Sequence, residues 1–193
     1  MAFLKSTTRE KRGTVLLGTT LVLRQPCLGD FKEWVALRKA SEKFLRPFEP
    51  SWGKDELSRR SFRKRVEFYN CGKREGNAYA FFLKSRANDQ LLGGITLSNI
   101  RYGVISSGAL GYWIGEPFAR QGFMSEAVSV LLPFAFNTLN LHRVEAACLT
   151  DNLSSVALLQ KCGFKQEGLA RKYLKINDVW QDHLLFALLE EEF

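Results

Sequence analysis

One stretch limits the possible folds more than any other: LGYWIGEPFARQGFMSEA, Leu110 to Ala127. The segment from about Ala109 to Ile114 predicts a strand. Gly115 and Pro117 break it, and a long helix opens near Gly122 and runs to about Leu139. The start of such a helix offers several backbone N–H groups with no intrahelical partner, at the positive end of its dipole, which suits a phosphate. Gly122 lacks a Cβ, so a diphosphate can approach the backbone closely. Many strand–loop–helix junctions bind nothing, so this stretch alone does not define an activity. Pro133 deletes one backbone hydrogen bond from the helix and predicts a bend near Ser129.

The rest of the chain reads as short, well-punctuated elements. Thr20–Arg24 is a short strand, and Asp30 with Glu33 has the spacing of a capping box for a helix through about Ala40. Pro47 and Pro50 define a loop, LRPFEPSW, before a basic helix over about 55–70. Strands follow over Ala78–Ser85 and Leu91–Ile100, joined at Asn88-Asp89. His142–Leu149 is a strand, Leu153–Lys161 a helix stopped at Gly163, and Phe164–Leu174 and Trp180–Leu188 are strands joined at Asn177-Asp178. This order predicts one α/β domain with a largely antiparallel, partly parallel sheet. Residues 1–13, polar and basic, are expected to be a flexible arm, and 14–193 the domain.

The 193 residues suffice for one well-buried domain. The longest apolar candidate, Val128–Phe136, is cut by Pro133 and is far short of a membrane span. The charged N-terminus does not look like a signal peptide, and a cytoplasmic location is expected. Cys27, Cys71, Cys148 and Cys162 form no C-x-x-C pair, and with only His142 and His183 no local zinc cluster can be assembled, so reduced thiols and no metal are expected.

Charge is distributed unevenly. Residues 1–75 hold 18 Lys and Arg against 9 Asp and Glu, whereas residues 76–193 hold 10 against 11. The density peaks at Arg59, Arg60, Arg63, Lys64 and Arg65. Positions 59, 60, 63 and 64 share a helix face opposite Leu57, Phe62, Val66 and Tyr69. This is either a solvated face or a guide toward an acidic partner such as a ribonucleoprotein. The stripe shows no aromatic interleaving of the kind that reads bases.

A second element adds weight to the Gly122 loop: Asn152-Leu-Ser-Ser155, opening the helix that ends Lys161-Cys-Gly-Phe164. An Asn or Ser there also serves as a plain N-cap, a contribution of about 1 kcal/mol. Together, GYWIGEPFARQGFMSEA, HRVEAACLTDNLSSVALLQKCGFKQEGLARKYL, the closing VWQDHLLFALL and the early LRPFEP resemble the GNAT superfamily of acetyl-CoA-dependent N-acetyltransferases. Within it they are similar to the ribosomal-protein alanine N-acetyltransferases of the RimJ type. The resemblance covers nearly the whole chain from about Thr20.

The resemblance implies a mixed, mostly antiparallel sheet with splayed central parallel strands flanked by helices. It implies acetyl-CoA as cosubstrate, its pantetheine arm on the backbone of Tyr112, Trp113 and Ile114. It assigns the diphosphate to Arg120, Gln121, Gly122, Phe123, Met124 and Ser125, and a pantetheine hydrogen bond to Asn152. The superfamily's loop pattern is Gln/Arg-x-x-Gly-x-Gly/Ala; here Ala119 and Met124 depart from it and Gly122 alone matches, which backbone binding tolerates. The expected reaction is direct attack of a neutral amine on the thioester, with N–H groups near Tyr112–Ile114 stabilising the oxyanion. The tyrosine that many members use as acid falls at Leu159 here, and Ser155 is the substitute candidate, unless it only caps its helix.

A glutamate known from neighbouring enzymes falls at Leu174, so no general base is evident. An α-amine with a pKa of about 7.7–8 needs only roughly 1–1.4 kcal/mol to lose its proton at pH 7, against roughly 4.6 for a lysine. A site without a strong base therefore favours N-terminal amines. Glu49 is the candidate to hold that amine, unless it pairs with a neighbouring arginine. Glu116, Glu145 and Asp182 are weaker candidates, the last able to pair with an arginine instead. Tyr173 and Trp180 line the acceptor cleft or belong to the core. The reading is thus acetylation of a protein N-terminus, ribosomal by resemblance, with ribosome contact through the basic helix. Acetylation of a small amine (an antibiotic or a polyamine), or CoA binding in ribosome assembly without turnover, are the alternatives.

Overall fold

The computed structural model describes residues 14–193; the arm expected over residues 1–13 lies outside the described residues. One sheet of eight strands runs through the molecule in the order β1-β2-β3-β4-β5-β6-β8-β7. Its strands are β1 (Val15–Leu17), β2 (Leu21–Arg24), β3 (Tyr79–Ser85), β4 (Leu91–Arg101), β5 (Ser107–Ile114), β6 (Arg143–Leu149), β7 (Lys165–Ile176) and β8 (Val179–Leu189). Every neighbouring pair is antiparallel except β5 and β6.

Alternation along the strands divides two cores between the two faces of the sheet. Phe81, Leu83, Ile95, Leu97, Leu110, Val144, Ala146 and Phe186 face α4 (Phe123–Pro133) and α5 (Leu153–Lys161), which contribute Met124, Ala127, Val128, Leu131 and Leu159. Phe82, between Phe81 and Leu83, faces the other way, and with Leu91 packs on Trp34 of α1 (Phe31–Ala40) and on Phe62 and Val66 of α3 (Arg59–Glu75). A short α2 (Glu42–Leu45) leads from α1 into the proline-bounded loop.

Several sequence expectations need correction. The Asp30–Glu33 capping box does not form at α1. Asp30 instead accepts hydrogen bonds from Arg24 Nη1 and the Cys27 N–H, both at 2.8 Å. Glu33 pairs with Lys84 Nζ at 2.6 Å and accepts the N–H of Leu91. Both carboxylates are drawn off by partners on strands, which the local pattern does not reveal. The basic helix begins later than expected, where the Ser58 hydroxyl accepts the Ser61 N–H at 3.1 Å, and ends at Gly76 with φ +71°. The helix after Gly122 is α-helical to Pro133 and continues as a π-helical turn, Phe134–Thr138, so its winding changes at the proline.

Candidate active site

The seam between β5 and β6 is paired only from Ser107–Leu110 to Arg143–Ala146. Beyond it, β5 stays bonded to β4 as far as Ile114, and β6 stays bonded to β8 as far as Leu149. The two strands therefore diverge, and among the described residues the β6-facing edge of Gly111–Ile114 has no strand partner. Trp113 is fixed against the sheet because β4 is bare beneath it: a Cβ on Gly94 would collide with its indole Nε1.

Two helices begin at this opening. After β5, a single turn at Glu116–Phe118 and Arg120 at φ +60° carry the chain to Gly122, which sits at φ +87° as the N-cap of α4. The Gln121 side chain ties the loop by donating to the Pro117 carbonyl at 2.7 Å. Among the described residues, no atom beyond the adjoining chain lies within 4 Å of where a Gly122 Cβ would stand. The glycine thus serves the left-handed turn and leaves open space before the N–H groups of Phe123, Met124 and Ser125. Glu126 carries the one acidic side chain of that first turn. It is turned to β2, accepting the Thr20 N–H at 2.7 Å. Burial pushes its pKa up, but hydrogen bonds from Thr20, Thr19 and Leu21 outweigh this and hold the carboxyl below its ordinary range.

Across the opening, Asn152 Oδ1 accepts the Ser155 N–H at 3.1 Å and caps α5. The cap therefore belongs to Asn152, not to the Ser155 hydroxyl, and the Asn152 amide nitrogen is a separate donor. The Ser155 hydroxyl lies close enough to the Tyr112 phenol to influence its ionisation. Burial raises the pKa of that phenol strongly, and the nearby Ser155 hydroxyl offsets this only in part. Burial also pushes the Cys148 thiol up to about 11 and raises Cys162. Such thiols are protonated at neutral pH, and neither is suited to be a nucleophile. Leu159, where the family's tyrosine would fall, is buried in the core.

On the opposite face of the sheet lies a cavity of about 370 Å³ whose lining includes Thr96, Gly111, Trp113, Glu49, Trp52 and Arg38. Glu49 is at this cavity, but its carboxylate is occupied: Arg38 Nη1 donates to Oε1 at 2.7 Å, Arg38 Nη2 to Oε2 at 2.6 Å, and Trp52 Nε1 to Oε2 at 2.7 Å. The arginine pairing that competed with amine binding in the sequence is the one formed, and its partner is a buried residue, Arg38 being 5% exposed. The Arg38 guanidinium also lies 4.3 Å from the Trp52 ring centre and 5.1 Å from that of Trp113. Among the described residues, its buried Nε has no hydrogen-bond partner.

Arg38, Trp52 and Trp113's role in this cage carry no sequence signal, since an ion pair spanning a proline loop follows no periodicity. Arg65, counted with the basic stripe, points inward to Glu56 and lines the same cavity. Arg59, Arg60, Arg63 and Lys64 are exposed, as expected. Phe68 is 69% exposed on the same helix, so α3 does present an aromatic ring to solvent.

The weaker candidates fall elsewhere. Glu145 lies in the paired part of β6 and bonds Arg143 at 2.9 Å. Asp182 accepts the Lys172 N–H at 2.8 Å rather than pairing with an arginine, and so holds a bulge in β7. Glu116 donates its N–H to the Ser41 hydroxyl at 2.9 Å, beside the Gly122 loop. Tyr173 stands edge-on to buried His183, and Trp180 is 58% exposed, so neither is a core residue.

An open-edged strand between two helix starts, with a cavity on its other face, leaves room for two molecules to meet at one strand. Residues 20–165 match the acetyltransferase (GNAT) domain, and the chain belongs to that family. It is 33% identical over 178 residues to "Probable N-acetyltransferase YjcK" of Bacillus subtilis (strain 168), covering 92% of this chain and 98% of that one. It is 32% identical over 145 residues to the [Ribosomal protein uS5]-alanine N-acetyltransferase of Escherichia coli (strain K12), covering 75% of each. Among solved structures, Mycobacterium smegmatis RimJ in complex with CoA-disulfide superposes with a TM-score of 0.89 at 28% identity, covering 94% of this chain and 90% of that chain. The residues present fit such a cosubstrate: an open strand edge, a left-handed glycine at a helix start and a capping asparagine with a spare donor. Among the described residues there is no cluster of groups that could hold a metal, and no helix is long and apolar enough to cross a membrane.

Proposed function

We propose that this N-acetyltransferase uses acetyl-CoA to modify the N-terminal α-amine of a protein, in particular a ribosomal protein. The observation that carries the reading is the unpaired edge of Gly111–Ile114, which faces the Gly122 and Asn152 helix starts on one side and adjoins the Glu49 cavity on the other. The bound cosubstrate supplies the activated acetyl group. Backbone groups of Tyr112, Trp113 and Ile114 hold its pantetheine arm, with the Asn152 amide as a further donor. The loop Arg120, Gln121, Gly122, Phe123, Met124 and Ser125 holds the diphosphate, chiefly through N–H groups.

The acceptor amine enters from the cavity and attacks in neutral form. Arg38 and Trp52 take three of the roughly four acceptor positions of the Glu49 carboxylate. One direction is left to orient an ammonium or a water, consistent with an amine that needs little help to deprotonate. Ser155 with Tyr112 protonates the departing thiolate; burial keeps the phenol in its O–H form, so it can pass a proton on. The ribosomal acceptor is supported by the likeness to RimJ and to the uS5-alanine enzyme. The exposed Arg59, Arg60, Arg63 and Lys64 suit contact with a ribonucleoprotein.

The test is to incubate the protein with acetyl-CoA and matched sets of N-terminal peptides, lysine peptides and small amines, following thiol release. Turnover confined to peptides with a free, small N-terminal residue is the expected result. Preference for polyamines or antibiotics assigns a small-amine enzyme instead. Thermal stabilisation by CoA with no turnover on any amine assigns a binding protein.

A further inference from the structure

We infer that the β7–β8 turn, Asn177-Asp178, is a clamp that positions the acceptor-side loop of the active site and so sets affinity for the acceptor without touching the CoA side. Ile176 pairs with Val179, so the turn between them has two residues. Both are left-handed, at φ +46° and +62°, as a tight hairpin turn demands. The side chains at this tip are directed to a distant part of the chain. Asn177 Nδ2 donates to the Arg46 carbonyl at 2.8 Å, and the Ser51 hydroxyl donates to Asp178 Oδ2 at 2.5 Å.

These two contacts bracket Glu49. Arg46 lies before it and Ser51 after it, on the loop that brings Glu49, Ser51 and Trp52 to the cavity wall. From inside, the same loop is held by the Arg38 pair. The hairpin therefore grips from outside a segment whose inner face touches the acceptor space. The Gly122 loop and Asn152 are tied by separate contacts, to Pro117 and to Ser155. Loosening the clamp should thus disturb one substrate and spare the other. The inference rests on the cavity being the acceptor site, as proposed above.

The experiment is the double variant Asn177→Gly/Asp178→Gly, because glycine keeps the left-handed turn while deleting both side-chain tethers. Expected are faster amide exchange across residues 46–52, a rise of about tenfold in acceptor KM for two lost hydrogen bonds, and an acetyl-CoA KM and kcat close to wild type. Unchanged exchange and unchanged acceptor KM overturn the clamp. So does an equal rise in both KM values, which marks general loosening. If the wild type acetylates no amine, the proposed function fails, and the exchange measurement alone decides whether the turn holds the loop.

Discussion

Ser155 and Arg38 illustrate how much a single residue's role depends on the side chains packed beside it. Asn152 takes over the capping task, which leaves the Ser155 hydroxyl free of it beside Tyr112. Ser155→Ala should lower kcat by about 100-fold, the lower end for losing a proton donor, with acetyl-CoA KM little changed; steady-state thiol release checks this, and full turnover in the variant removes Ser155 from the proton path. Arg38→Met strands the Glu49 carboxylate, and breaking a buried pair from one side costs about 3 kcal/mol. At roughly 2–4 °C per kcal/mol for a chain of this size, melting should fall by about 6–12 °C. Adding Glu49→Gln should restore much of it, since removing both charges abolishes the unpaired one. The Gly122 and Asn152 positions were visible in the sequence because their jobs are local: a positive φ and a helix cap. The Arg38–Glu49–Trp52 cage was not, because it joins a helix to a proline loop through side chains alone.

At the scale of elements, the strand–loop–helix passage from β5 to α4 was legible in type and nearly in extent. Gly115, Pro117 and Gly122 punctuate it with strong local preferences. Where prediction failed, a tertiary partner overrode a local pattern, as when Arg24 and Lys84 withdrew Asp30 and Glu33 from a capping box. The strand β1 is only three residues long and gave too short a pattern to read. The turn into α4 yields a separable prediction. Gly122→Ala places an L side chain at φ +87°, a strain of about 1–2 kcal/mol. It should lower the melting temperature by a few degrees and raise acetyl-CoA KM while sparing acceptor KM. Asn tolerates left-handed backbone better, so Gly122→Asn should recover stability more than it recovers cosubstrate binding.

For the molecule as a whole, burial of protonated groups contributes a loss of stability at alkaline pH. The Cys148 thiol, ordinarily near 9, is raised to about 11 in the fold, so the folded chain holds a proton that the unfolded chain releases first. Its contribution is complete below about pH 9 and is lost as pH rises from there through about 11, at up to roughly 1.4 kcal/mol per unit of pKa difference. Urea midpoints across that window should fall with pH, and Cys148→Ala should flatten part of the slope. The short β5–β6 seam has a mechanical meaning as well. Two half-sheets are zipped together over Ser107–Leu110 and Arg143–Ala146 and stand unzipped above. A molecule lodged in the gap stitches the halves to each other, so cosubstrate should slow amide exchange at the seam residues themselves, making the enzyme stiffest once it is charged for reaction.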